Sequence, residues 1–174
     1  MPAIHRLLPQ LFLSLALVFW ASTAASQTIT GTVDGEARSW HVLEHDGTLS
    51  ARFEDQGMFT NVTIMGFADP ADPTKLEGAL EIMLVLQGQP GAMTALDAEL
   101  LYMAGGRARL YLPDPDGEGP ELTLRETRAE GEGLYLSGRI KAEVHRVVRL
   151  ATEELDLDDS HRIEADFDVT LTAG

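Results

Sequence analysis

From Gln27 onward, apolar and polar residues alternate in short runs, and turn formers interrupt the runs roughly every 8–12 positions. Extended backbone sends successive side chains to opposite faces, so a period of two buries one face and wets the other. Ile29, Gly31 and Val33 alternate with threonines until Asp34-Gly35, a two-residue hairpin signal. Arg38 to Glu44 carries Trp40 and Val42, and His45-Asp46-Gly47 turns the chain. Leu49, Ala51 and Phe53 then share a face, and Gly57 ends that run. Longer alternations follow at Leu76 to Leu86, Leu134 to Val144 and Ile163 to Leu171, with shorter ones at Arg107 to Leu112 and Leu122 to Leu124. Leu84 and Phe167 fall on inward faces, and Glu81 and Asp168 on outward ones.

Two segments depart from simple alternation. Phe59 to Phe67 is apolar on both sides, with Val62 and Ile64 on one face and Phe59, Met65 and Phe67 on the other, which predicts a central strand covered on both faces. Ala92 to Met103 has helix-forming composition and a possible stripe of Met93, Leu96, Leu100 and Met103, yet Leu96, Ala98, Leu100 and Tyr102 also alternate. Its neighbours on both sides read as strands, so strand is the preferred assignment. The whole pattern predicts an all-β domain of nine or ten strands arranged as an antiparallel β-sandwich, with a closed β-barrel as the rival. No amphipathic crossover helices intervene, which disfavours a parallel α/β fold.

The first 26 residues read as a secretory signal peptide. Arg6 precedes an apolar core, Leu11 to Trp20, and the small residues Ala21 to Ser26 follow it. A core this short falls below the ~18 residues of a membrane span, so no stable membrane insertion is expected after cleavage. Residues 27–174 are then a single exported domain, periplasmic or extracellular. The 174-residue chain has a formal charge of −15, and losing Arg6 with no acid takes it to −16. Such a surface repels nucleic-acid phosphates and anionic lipid, while it favours solubility. There is no cysteine, hence neither a lipid-anchoring thiol nor a disulfide framework. Lys75 and Lys141 stand beside eleven arginines, a bias that fits a GC-rich bacterial genome.

Chemistry-bearing patterns are sparse. The loop Asp114-Pro115-Asp116-Gly117-Glu118-Gly119 superficially matches a calcium loop, with acids at positions 1, 3 and 5 and glycine at position 6. Position 12 is Arg125, however, where a bidentate glutamate belongs, and prolines fall at positions 2 and 7. The loop therefore reads as a solvated turn. Glu153, Glu154, Asp156, Asp158 and Asp159 form a second acidic stretch, read as an extended row whose carboxylates spread apart. His41, His45, His145 and His161 make no metal-binding pair, and Met58, Met65, Met83, Met93 and Met103 are too scattered for a copper carrier. Ser39, Ser50, Ser137 and Ser160 lie in ordinary strand or turn contexts, with no nucleophile elbow.

No catalytic, cofactor-binding or metal-ligating residue is assigned from the sequence. The expected function is that of a non-enzymatic binding or interaction module for a protein or small-molecule partner. The alternative is a carboxylate-based hydrolase acting on polysaccharide. Carbohydrate sites commonly present an aromatic platform, and the scarcity of candidates here, Trp40, Tyr102, Tyr111 and Tyr135 besides phenylalanines expected in the core, disfavours that alternative.

Overall fold

The structure, a computed structural model, describes residues 27–45 and 48–174. The expected signal peptide, 1–26, and the turn residues Asp46 and Gly47 lie outside the described residues. The described residues are all-β apart from one 3-10 turn (Leu150–Thr152), with strands β1 (Gln27–Val33), β2 (Glu36–Val42), β3 (Glu44–His45), β4 (Thr48–Leu49), β5 (Ala51–Asp55), β6 (Phe59–Gly66), β7 (Ala79–Gln87), β8 (Thr94–Arg107), β9 (Tyr111–Leu112), β10 (Glu121–Glu130), β11 (Gly133–Arg149) and β12 (Glu154–Ala173). Ala92 to Met103 falls almost wholly in β8, the strand assignment preferred from its alternation.

Ten strands form one mixed sheet in the order β10-β11-β9-β8-β7-β6-β5-β12-β1-β2, and β11 also pairs with β12; β3 and β4 form a separate small sheet. The expectation of a purely antiparallel arrangement is corrected by β5 and β12, which run parallel where Thr172 meets Arg52 and Ala173 meets Phe53. Pairing is continuous from β5 through β8, and again through β10, β11, β12, β1 and β2. Elsewhere it is sparse. Among the described residues, the β5–β12 contact has those two pairs, β9 meets β11 at Leu112 and Tyr111, and β9 meets β8 where Tyr111 faces Tyr102.

The alternating residues supply one core. Ile29, Trp40, Ile64, Ile82, Leu84, Leu100, Leu136, Ile140 and Phe167 are all buried within it. Asp34 and Gly35 take positive φ values of 52° and 82°, the paired left-handed geometry of a two-residue hairpin that matches strand twist. Gly138 permits a close approach: a Cβ there would stand 2.5 Å from the ring of Phe167.

Two boundaries and the burial of one face differ from the sequence reading. Leu76 lies in a loop and the strand starts at Ala79, because Gly78 takes a positive φ and its carbonyl accepts the Trp40 indole N–H at 2.8 Å. Arg107 ends β8 rather than opening a strand, and the chain turns before the two-residue β9. The outer face of β6 is half-buried rather than covered: Phe59, Thr63 and Met65 keep partial exposure although β5 and β7 flank the strand.

Candidate functional site

An irregularity in the longest hairpin builds the main polar cluster. Along β11 and β12, His145 faces Ser160 while the next residue, Arg146, faces Asp156, so 157–159 bulge out of register. Bulges re-aim side chains, and here Asp159 turns onto Tyr111. The phenol donates to Asp159 Oδ1 at 2.9 Å, and the Arg109 guanidinium donates to Oδ2 at 3.2 Å. Arg146 Nε lies 3.4 Å from the same carboxylate, near enough for charge attraction but without hydrogen-bond geometry.

Two residues farther along β12, His161 stands opposite the buried Val144. Its Nδ1 donates to Asp34 Oδ2 at 2.6 Å, and Asp34 Oδ1 accepts the Arg162 backbone N–H at 2.8 Å. The Asp34 backbone N–H returns a bond to the Arg162 carbonyl at 2.8 Å, so the β1–β2 turn is fastened to β12. The imidazole packs 4.5 Å from the Tyr111 ring centroid and edge-on to Tyr102 at 5.7 Å. Aromatic pairs at these separations favour tilted and edge-to-face arrangements.

The electrostatics follow from these contacts. The Arg162 N–H, then the His161 ring, hold Asp34 below the usual carboxylate range. The Tyr111 hydroxyl does the same for Asp159, with Arg109 adding to it. Burial pushes both Tyr102 and Tyr111 up, and for Tyr111 the Asp159 hydrogen bond adds to the rise. At neutral pH the cluster therefore holds two ionised carboxylates and two neutral phenols. Among the described residues the hydrogen-bond partner of the His161 ring is Asp34.

The two acidic stretches singled out in the sequence fare differently. Asp114 and Gly117 belong to a tight turn in which Asp114 Oδ1 accepts the Asp116 N–H at 3.0 Å. The stretch from Glu153 is only partly a solvated row: Asp156 meets Arg146 at 2.9 Å and Asp159 enters the tyrosine cluster. No group of three or more His, Asp or Glu side chains is arranged to hold a metal ion among the described residues. His41 sits on β2, and His145 keeps a buried Nδ1 without a hydrogen-bond partner. Ser160 donates to Glu143 at 3.3 Å, and Ser50 donates to the Met65 carbonyl at 2.6 Å, both tying strands together.

The candidate aromatics of a carbohydrate platform are not presented together to solvent. Trp40, Tyr102 and Tyr111 are buried, and Arg128 covers Tyr135 with its guanidinium carbon 3.4 Å from the ring centroid. Sequence reasoning missed the Asp34–His161 and Tyr111–Asp159 pairs. The parity of the last strand carried one usable signal, because counting back from Ile163 puts His161 on the inward side.

Open grooves flank this region. One of about 520 Å³ is lined by Asp114, Glu118, Lys141, His145, Arg162 and Glu164 among others. A second, about 250 Å³, lies between the Pro113–Pro120 loop, β8 and the start of β12. No protein-family model, curated protein or solved structure matches the chain, so its functional reading rests on this geometry.

Proposed function

We infer that this is an exported, acidic, non-enzymatic β-sandwich protein that works as a binding or interaction module in the periplasm or medium of a bacterium. Residues 1–26 are its signal peptide and 27–174 its single domain. Two blocks of continuous pairing, β5 to β8 and β10-β11-β12-β1-β2, support two sheets packed over one core and joined by short edge pairings. The sparse links at β9 and at β5–β12 are what a closed barrel would have to extend.

One observation carries the functional reading: both carboxylates of the polar cluster are held ionised by donors. Glycoside hydrolysis by paired carboxylates needs one of them protonated, with its pKa raised. Asp34 and Asp159 are shifted the opposite way. The carboxyl that burial does raise, Glu81, faces Met65 and Leu101 across its neighbouring strands, and the charge acting on it is Arg52. Open grooves and a packed core suit surface binding better than turnover.

The test is release of product from dyed polysaccharides and nitrophenyl glycosides by the exported protein, beside Asp34→Asn and Asp159→Asn. The binding reading expects the same background rate for all three. Turnover by the parent protein that either variant abolishes would establish the hydrolase instead.

A further inference from the structure

We propose that the free edge of β8, with the groove beside it, docks an extended basic segment of another protein by strand addition; this deepens the binding-module reading and rests on it. Along Thr94–Met103, β8 pairs with β7. Its other edge is paired only at Tyr102, opposite Tyr111, among the described residues. The stretch from Thr94 to Leu101 thus has no ladder partner on that side and is of ordinary strand length, although β10 and β11 approach β8.

Natural sheets defend such edges with charged side chains, proline, bulges or very short strands. Thr94 to Leu101 contains no lysine and no proline; its charges, Asp97 and Glu99, repel an acidic strand but attract a basic one, and the register shift is confined to Leu96. The amide of Ala98 is satisfied by the neighbouring Asp97 carboxylate at 2.8 Å, a local contact that an incoming carbonyl can replace. Leu96, the residue skipped where β7 and β8 shift register, is 55 % exposed.

The groove alongside sets the chemistry of the occupant. Ala98, Leu112, Pro113, Pro120 and Leu155 supply its apolar lining. Glu99, Asp114 and Glu153 supply three carboxylates, and no cationic side chain lines it. At about 250 Å³ it is smaller than the ~300–1,000 Å³ typical of small-ligand sites, so it suits one or two anchoring side chains of a longer segment. Strand addition takes affinity from main-chain hydrogen bonds and specificity from alternate side chains. The segment that fits has aliphatic residues alternating with lysine or arginine, the basic positions meeting Asp97, Glu99 and Glu153.

The probe is a synthetic heptapeptide, acetyl-Lys-Val-Lys-Leu-Lys-Val-Lys-amide, titrated into the exported protein at ~0.15 M salt, where long-range charge attraction is screened. Three control peptides replace the aliphatic residues by serine, replace lysine by glutamate, or methylate alternate backbone nitrogens. Amide hydrogen exchange reads the footprint. Strand addition gives saturable binding, new protection within Ala95 to Leu101, and at least tenfold weaker binding of every control peptide. Glu99→Lys and Leu155→Ser should each weaken binding at least fivefold while their melting temperatures stay near that of the parent. Absence of saturation at millimolar peptide, equal binding of the methylated or serine peptide, or a footprint away from β8 overturns the proposal. A footprint elsewhere leaves the binding-module reading standing, whereas the turnover assay tests that reading separately.

Discussion

Asp34 and His161, 127 positions apart in sequence, are joined by a 2.6 Å contact between a turn carboxylate and an inward-facing imidazole. The contact locks the first hairpin onto the last strand. It also fixes which nitrogen of the imidazole is committed, and so shapes the polar end of the core around Tyr102 and Tyr111.

Asp34→Asn should weaken that fastening without breaking the turn, since asparagine also tolerates the positive φ. The side chain is 51 % exposed. Allowing for solvent screening, the loss should be about 1 kcal/mol, or ~2–4 °C in Tm. The pH dependence has a definite sign. A carboxylate held low in the folded state adds stability above its unfolded pKa, near the ordinary value of 3.8, and loses it as the pH falls through the lower folded value. The Tm difference between parent and variant should therefore be full at pH 6 and shrink below pH 4. Melting curves at pH 2.5, 4 and 6 check this.

Tyr111→Phe should destabilise more than Tyr102→Phe. The Tyr111 hydroxyl donates to Asp159, whereas no hydrogen bond from the Tyr102 hydroxyl is present among the described residues. Losing the phenol donor also raises Asp159 toward its ordinary range, which moves the onset of acid unfolding to higher pH. Thermal and acid denaturation of the two variants read both effects.

Glu81→Gln should raise Tm at neutral pH. Burial pushes this carboxyl up, so its contribution is full below the unfolded pKa and is lost as the pH rises through the folded value. The gain from the glutamine should therefore disappear below pH 4, which melting curves on either side of that pH will show. In the sequence, position 81 reads as simple outer face, where substitution is silent. Its neighbours Met65 and Leu101 are why it is not fully solvated.

Leu84→Asp and Phe167→Asp should abolish cooperative folding, while Asp168→Ala should leave Tm within about 2 °C. Both apolar residues are buried, and an unpaired carboxylate there costs several kcal/mol of a typical ~5–15 kcal/mol stability. Gly138→Ala should also destabilise, because its methyl would meet the Phe167 ring and the Thr123 carbonyl. Urea unfolding followed by circular dichroism measures all four.

Local rules made much of the fold legible. Period-two burial identified the inner faces of β7, β11 and β12, and Asp34-Gly35 identified its turn. Long-range pairing was not legible: nothing near Arg52 or Thr172 announces a parallel contact between β5 and β12. The polar cluster was hidden for a similar reason. A bulge at 157–159 aims Asp159 at Tyr111, and alternation has no way to encode where a register slips. The unpaired stretch of β8 was equally invisible, because a sequence does not state where along a strand the pairing stops.

The most direct test of surface binding is photocrosslinking in living cells of the native host, with a photoreactive residue placed at Leu96 or, for comparison, at Asp168. Strand addition at β8 gives a discrete crosslinked species from position 96 that Glu99→Lys removes, and none from position 168. Equal crosslinking from both positions, or none from position 96, would contradict it.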